Sequence, residues 1–286
     1  MKIPDWAKQV IGIVVFVGGM LVWLANYHVP GMIDSQTKGM SNDVSSLKTA
    51  VADEKGDVQR IDATVNGLMK ELVDAQLASL RGIKNQSAGV AKERLSFIEH
   101  LVGEAKQAGI LANPAIVAEA GRNALDLTQN LELRLAAWET TQRLLSYQSF
   151  LTPKPVTPEP PRTGPLSNMW STGVLPFTVS SLTVYSWTTN PEEMASFEPL
   201  NQKRNENVPN GPGLVSLNGN GGDLQIDEHR AKNVIFNNLR IIYRGGRLDF
   251  NRVYFVNCIF DFPSASRQTV LFARALFSSS PSYFVS

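Results

Sequence analysis

NVIFNNLRIIY, at Asn233–Tyr243, and RVYFVNCIFDF, at Arg252–Phe262, are two versions of one pattern. Val234 matches Val253, Phe236 matches Phe255, Asn238 matches Asn257 and Leu239 matches Cys258, each 19 residues apart. Apolar side chains alternate up to an asparagine, which is the period of a strand ending at a turn. Stacked parallel, such segments lay Phe on Phe and Asn on Asn, rung upon rung. Antiparallel pairing is the alternative: two hairpins of a β-sandwich, with residues 244–251 as the connection. The glycine-led stretches GGDLQID (Gly221–Asp227) and GGRLDFN (Gly245–Asn251) also look alike, 24 residues apart. On that alignment EHRAK, at Glu228–Lys232, reads as an insertion in the first copy.

VYFVNCIF resembles the general sequence pattern of right-handed β-helix proteins, over about forty residues in two copies. It is a match to a pattern and not to one family. The resemblance implies a short right-handed parallel β-helix within an all-β head, residues 166–286, where β-branched, aromatic, Gly and Asn residues dominate. The tail, TVLFARALF and SSSPSYFVS, reads as a third rung, a capping strand or a short helix.

Before the head, residues 152–165, TPKPVTPEPPRTGP, hold six prolines in fourteen positions and predict a semi-rigid spacer. Residues 34–151 read as a helical, coiled-coil stalk. Val44, Val51, Val58, Val65 and Leu72 recur every seven residues, with Leu47, Glu54, Ile61, Leu68 and Ala75 three places behind them. Only Glu54 breaks the seam, and β-branched residues at its first position favour a parallel pair. A second stripe, Ala88, Ala91, Leu95, Ile98, Leu101, Val102 and Ala105, predicts a helix stopping at Gly109. Asn113–Pro114 predicts the cap and first turn of another helix running to about Phe150, striped by Ala120, Ala124, Leu127, Leu131, Leu135, Trp138 and Leu145. The short break at 109–113 makes the pair an αα-hairpin.

At the other extreme, QVIGIVVFVGGMLVWLANYH, Gln9–His28, holds no Asp, Glu, Lys or Arg. Twenty residues of helix span roughly 30 Å, the thickness of a bilayer's hydrocarbon core. Residues 1–33 are therefore expected to be a single transmembrane anchor. Trp23 spoils the small-residue cleavage pattern after Ala25, so the anchor is expected to stay uncleaved. Lys2 and Lys8 precede the run and only Lys38 follows closely, which places the N-terminus in the cytoplasm. The head would then lie in the periplasm or outside the cell, on a plasma or inner membrane. The expected fold class is thus membrane-anchored α+β: anchor, helical stalk with a hairpin, and β-rich head.

Net charge is +1, from 27 basic and 26 acidic residues, which gives no global pull toward nucleic acid. One cysteine, Cys258, and three histidines argue against a metal centre, and no metal or cofactor is expected. GNGG at Gly219–Gly222 lacks the lysine of a phosphate loop, and no nucleophile elbow, HExxH or dinucleotide motif occurs. The densest polar cluster is Asp227, Glu228, His229 and Arg230. With Asp249 these are the candidate acids and bases, though adjacent loop residues point apart and a solvated turn is the simpler reading. Asp223, Arg244 and Arg247 flank the glycine pairs and are the candidate ligand contacts. Because the loop reads as an insertion, Asp227→Ala and Glu228→Ala are expected to leave folding nearly untouched. His100 reads as a half-buried helix residue.

The leading expectation is a non-enzymatic bitopic membrane protein. Its partners would be the bilayer, a second copy through the seam Val44, Leu47, Val51, Val58, Ile61, Val65, Leu68 and Leu72, and an unidentified protein or glycan at the head. The alternatives are an envelope-glycan-acting enzyme and a membrane effector of a bacterial defence or toxin system.

Overall fold

The computed structural model describes residue 60, residues 63–155, 180–201 and 211–286, and the backbone of 162–164. The apolar run Gln9–His28, the seam residues Val44, Leu47, Val51, Val58 and Ile61, and most of the proline-rich stretch lie outside the described residues. Among the described residues no helix is long and apolar enough to cross a membrane. The chain divides into two compact units, Met1–Thr64 and Val65–Ser286, and the α+β architecture below is that of the second.

Helix α1 is described over 63–78 and tightens into a 3-10 turn at Ser79–Asn85. Helix α2, Ala88–Gln107, buries the expected stripe of Ala91, Leu95, Ile98, Leu101, Val102 and Ala105. It ends at Gly109, whose φ of +72° only glycine adopts without strain. Gly109 N donates to Lys106 O and Ile110 N to Ala105 O, the paired bonds of a Schellman cap. Helix α3, Pro114–Leu127, starts with Asn113 Oδ1 accepting from Ala115 N at 3.0 Å. The cap therefore works as the Asn–Pro pair predicts.

The expected single helix to Phe150 is two helices. After α3 the chain turns at 128–133, where Thr128 Oγ1 donates to Leu125 O and Asn130 Oδ1 accepts from Glu132 N. Helix α4 then runs from Arg134 to Leu151. These local side-chain bonds compete with the helical ladder, which is why the stripe breaks there. Leu131 and Leu135, assigned to the stripe, are 79% and 70% exposed. Thr140 Oγ1 donates to Leu95 O, Arg143 meets Glu99, and Lys106 Nζ donates to Ser146 O. Partners advance together along both helices, so α2 and α4 run the same way and α3 is the return between them.

The remaining strands are β1 (Arg162–Gly164), β2 (Ser181–Thr188), β3 (Ser196–Pro199), β4 (Gly211–Asn218), β5 (Asp223–Gln225), β6 (His229–Asn237), β7 (Arg240–Ile242), β8 (Leu248–Val256), β9 (Ile259–Asp261) and β10 (Ser282–Val285), with helix α5 at Arg267–Leu276. One sheet has the order β1-β2-β4-β6-β8-β10, with β3 also on β6, and the other is β5-β7-β9. Strand β1 comes from the proline-rich stretch and pairs antiparallel with β2. The sequence copies run parallel, with Phe236 opposite Phe255 and Ile241 opposite Phe260. Asn257 Nδ2 donates to Asn238 Oδ1, and both asparagines take the positive φ that Asn tolerates at a corner.

The glycine-led stretches are not equivalent in space. Asp223–Gln225 pairs with Arg240–Ile242 in the small sheet, whereas Leu248–Asn251 pairs with His229–Lys232 in the large one. HRAK is therefore the counterpart of LDFN and not an insertion. Val215–Asn218 pairs parallel with Val234–Asn237, again 19 residues ahead, so the pattern begins one strand earlier than the sequence suggests. The tail supplies a helix and a capping strand: β10 closes the β8 edge antiparallel.

Between the sheets lies an apolar core of Val215, Leu217, Val234, Phe236, Val253 and Phe255 with Leu224, Ile226, Ile241, Tyr243, Phe260 and Phe262. Phe272 of α5 closes one end, its ring within 6.2 Å of Tyr243, Phe250, Phe255, Phe262 and Phe284. The helical residues belong to the same cluster, and Val65–Ser286 forms one compact unit across the compositional break at 152–165.

Helix α4 makes that junction. Residues 258, 260 and 262 of the β9 segment turn their N–H groups away from β7. Cys258 N donates to Ser149 Oγ (2.8 Å), Phe260 N to Ser146 Oγ (3.1 Å) and Phe262 N to Gln142 Oε1 (2.7 Å). Trp138 Nε1 donates to Phe262 O at 2.9 Å. Helix positions 142 to 149 cover about 10 Å, whereas strand positions 258 to 262 cover about 13 Å. The longer arm of Gln142 bridges the mismatch.

Candidate functional site

Among the described residues, two adjoining clefts run along α2, α4 and β9. One, of about 430 Å³, is lined by Glu99, His100, Glu104 and Arg143; the other, of about 290 Å³, adds Glu139, Arg240 and Asp261. Glu99 and Arg143 belong to both and pair across the helices at 3.3 Å. His100 is exposed and lies 3.0 Å from Glu104, one turn on, which corrects its assignment as half-buried. Arg240 is held between Asp261 and Asp223 on neighbouring strands. The cleft walls therefore carry mixed, mostly paired charge with an acidic excess, a surface suited to a polar or charged partner. The charges on α2 follow helical spacing and look like a solvated face; the fold alone brings Arg240 and Asp261 beside them.

The candidate acids and bases lie elsewhere, and each carboxylate already has partners. Asp227 accepts from the backbone N–H of Arg244 (3.0 Å) and of Gly246 (2.7 Å) in the turn before β8. Glu228 accepts from Arg247 N at 2.9 Å and Arg247 Nε at 3.1 Å. Those bonds hold the Glu228 carboxyl below the usual range. His229 Nδ1 donates to Asp227 O, and its ring stacks on Phe197 with centroids 4.8 Å apart. Asp249 pairs with Arg230 at 2.9 Å. Of the candidate ligand contacts, Asp223 reaches Arg240, Arg247 binds Glu228, and Arg244 presents its amide to Asp227. These residues tie neighbouring strands and turns together, and among the described residues they line neither of the two clefts.

The expectation that this loop is dispensable is overturned, because its carboxylates hold the turn before β8. Asp227→Ala leaves the Arg244 and Gly246 amides without their acceptor and is expected to lower the unfolding free energy by about 1–3 kcal/mol. Asp227→Asn, which keeps an acceptor, should recover much of that loss. Urea titration measures both, and wild-type stability in the alanine variant would refute the tie.

Burial pushes the Cys258 thiol up to about 11, and burial also lowers the neighbouring Lys106 ammonium. Both groups sit in the α2–α4–β9 junction, where they act as packing. Among the described residues no group of three or more His, Cys, Asp or Glu could hold a metal ion. No protein-family model, curated protein or solved structure matches the chain.

Proposed function

We propose that the chain is a membrane-tethered, self-associating scaffold that works by binding and not by catalysis. The observation carrying this reading is the exposure of the seam. Val65, Leu68 and Leu72, its described end, are 50%, 62% and 45% exposed, while Val73, Leu77 and Leu80 alongside are buried. One face of α1 thus serves the chain's own core and the other continues the heptads that begin at Val44. A second copy packing seam to seam removes that face from water.

The hydrogen-bonded state of Asp227, Glu228, His229 and Asp249 supports binding over glycan cleavage, since among the described residues none of these carboxyl groups lines either cleft. The parallel coils are read as a short, right-handed β-helix, supported by the 19-residue register of β4, β6 and β8. Its charged face along α2, α4 and β9 is the place for a protein or glycan partner. Gln9–His28 anchors the molecule, with the N-terminus in the cytoplasm and the β-rich region outside it.

Leu68→Lys places a charge in the seam, where an unpaired buried charge costs several kcal/mol. It is expected to abolish chemical crosslinking of the full chain in membranes while retention through alkaline carbonate washing is unchanged. Undiminished crosslinking contradicts the seam, and release of the chain by carbonate contradicts the anchor.

A further inference from the structure

We propose that the two clefts along α2, α4 and β9 take a basic peptide segment of a partner protein, its lysine or arginine side chains seated on Glu139 and Glu104. The inference rests on the reading of this face as the partner site and names the chemistry that fits it. The cationic groups of the clefts are already paired: Arg143 with Glu99, and Arg240 with Asp261 and Asp223. Two carboxylates are not so held. Glu139 lines the cleft of about 290 Å³, is exposed on α4, and makes neither a hydrogen bond nor an ion pair. Glu104 lines the cleft of about 430 Å³, is 64% exposed, and pairs only with His100, which carries charge only when protonated. What both clefts leave open to an incoming group is therefore negative, and its complement is a cation.

The second observation is apolar. Ile259 lines the smaller cleft and is 49% exposed, although its neighbours on β9, Phe260 and Asp261, are buried and paired respectively. A lysine or arginine side chain carries both parts that such a cleft asks for, an aliphatic stem that covers apolar surface and a charged head that stays near water. The stem suits Ile259 and the head suits Glu139. A glycan fits less well, because among the described residues no exposed aromatic ring lines either cleft for a sugar to stack on, Phe260 being only 5% exposed. Carboxylates as exposed as these select and steer a partner more than they tighten it, so the binding is moderate and weakens with salt.

The test uses the full chain in nonionic detergent and the fluorescence anisotropy of a labelled (Lys-Ala)4 peptide, with (Gln-Ala)4 as its neutral twin and chitotetraose as the glycan probe. The basic peptide is expected to bind saturably and the neutral one not at all. Glu139→Gln and Glu104→Gln should each weaken the basic peptide by about threefold, as for a solvent-exposed ion pair. Ile259→Ser should weaken it as well, without changing its salt dependence. Glu132→Gln removes the same charge from the turn between α3 and α4, outside both clefts, and should change nothing. Equal weakening by Glu132→Gln means attraction to the whole surface and overturns the proposal, as does a basic peptide that fails to bind. Chitotetraose that binds where the peptide does not overturns the peptide and keeps the clefts as the partner site, whereas binding of neither removes the clefts too. Crosslinking of the same preparation reads self-association separately, so failure of one reading is not failure of the other.

Discussion

Replacing Phe236 with alanine is expected to lower the unfolding free energy by about 3–5 kcal/mol, the range for truncating a fully buried aromatic. Phe236 is completely buried and its ring lies 5.4 Å from Phe197, 5.5 Å from Phe255 and 6.5 Å from Phe250. Removing it empties the β6 position that Leu217 of β4 and Phe255 of β8 flank. The cavity has few ways to collapse, because Val234 and Val253 are held in register by the parallel ladders. Leucine is the informative control. Leu217 occupies the same register position one strand earlier, so leucine already fills the equivalent place on the neighbouring strand. Phe236→Leu should therefore cost well under half as much as alanine in the same denaturant titration. Equal losses for the two variants would mean that the aromatic contacts, and not the filled volume, hold the stack.

Trp138→Ala carries the other large effect, again about 3–5 kcal/mol for a buried tryptophan. Trp138 is nearly buried, its ring centroid lies 6.0 Å from that of Phe262, and its Nε1 donates to Phe262 O. Truncation removes ring packing and strands a buried carbonyl at the edge of the small sheet. Trp138→Phe keeps most of the packing and isolates the hydrogen bond, for which about 1 kcal/mol is expected. The loss should be seen equally by the helical signal of circular dichroism and by Cys258, whose buried thiol becomes alkylatable on unfolding. A helical transition that moves while Cys258 stays protected would show that the helices melt independently of the strands.

Local features were the most legible in the sequence. Gly109 and Asn113–Pro114 act through bonds within a few residues, and the helix ends fall where those residues stand. Phe236 and Phe255 were legible because one spacing recurs with one side-chain pattern. Leu217 hid the first strand of the pattern, since Val-Ser-Leu-Asn is too ordinary to stand out beside Phe-Asn and Val-Asn. The glycine pairs misled by local likeness: Gly221–Gly222 leads into the small sheet and Gly245–Gly246 into the large one. Leu131 and Leu135 kept helical spacing through a turn that Asn130 and Thr128 make with single hydrogen bonds.

Legibility failed most where the partner is distant in sequence. Asp227 and Glu228 look like a free polar cluster until the amides of Arg244, Gly246 and Arg247 are placed against them. Gln142, Ser146 and Ser149 look like flaws in an amphipathic helix, and only the edge of β9 gives them a purpose. Arg240 and Asp261 reach the charged cleft from strands, whereas Glu99 and Arg143 reach it from helices. No spacing rule links those four positions.

Helices and parallel strands are expected to unfold as one cooperative unit, joined where α4 meets β9. Native-state hydrogen exchange at rising denaturant concentration tests it most directly, because it reads the opening free energy of each amide. The slowest amides of α4, at Leu144 and Leu145, and of β8, at Val253 and Phe255, should share one opening free energy, and Trp138→Ala should lower all four together. Amides of α4 that open at a lower free energy than those of β8, with β8 unmoved by Trp138→Ala, would contradict the account.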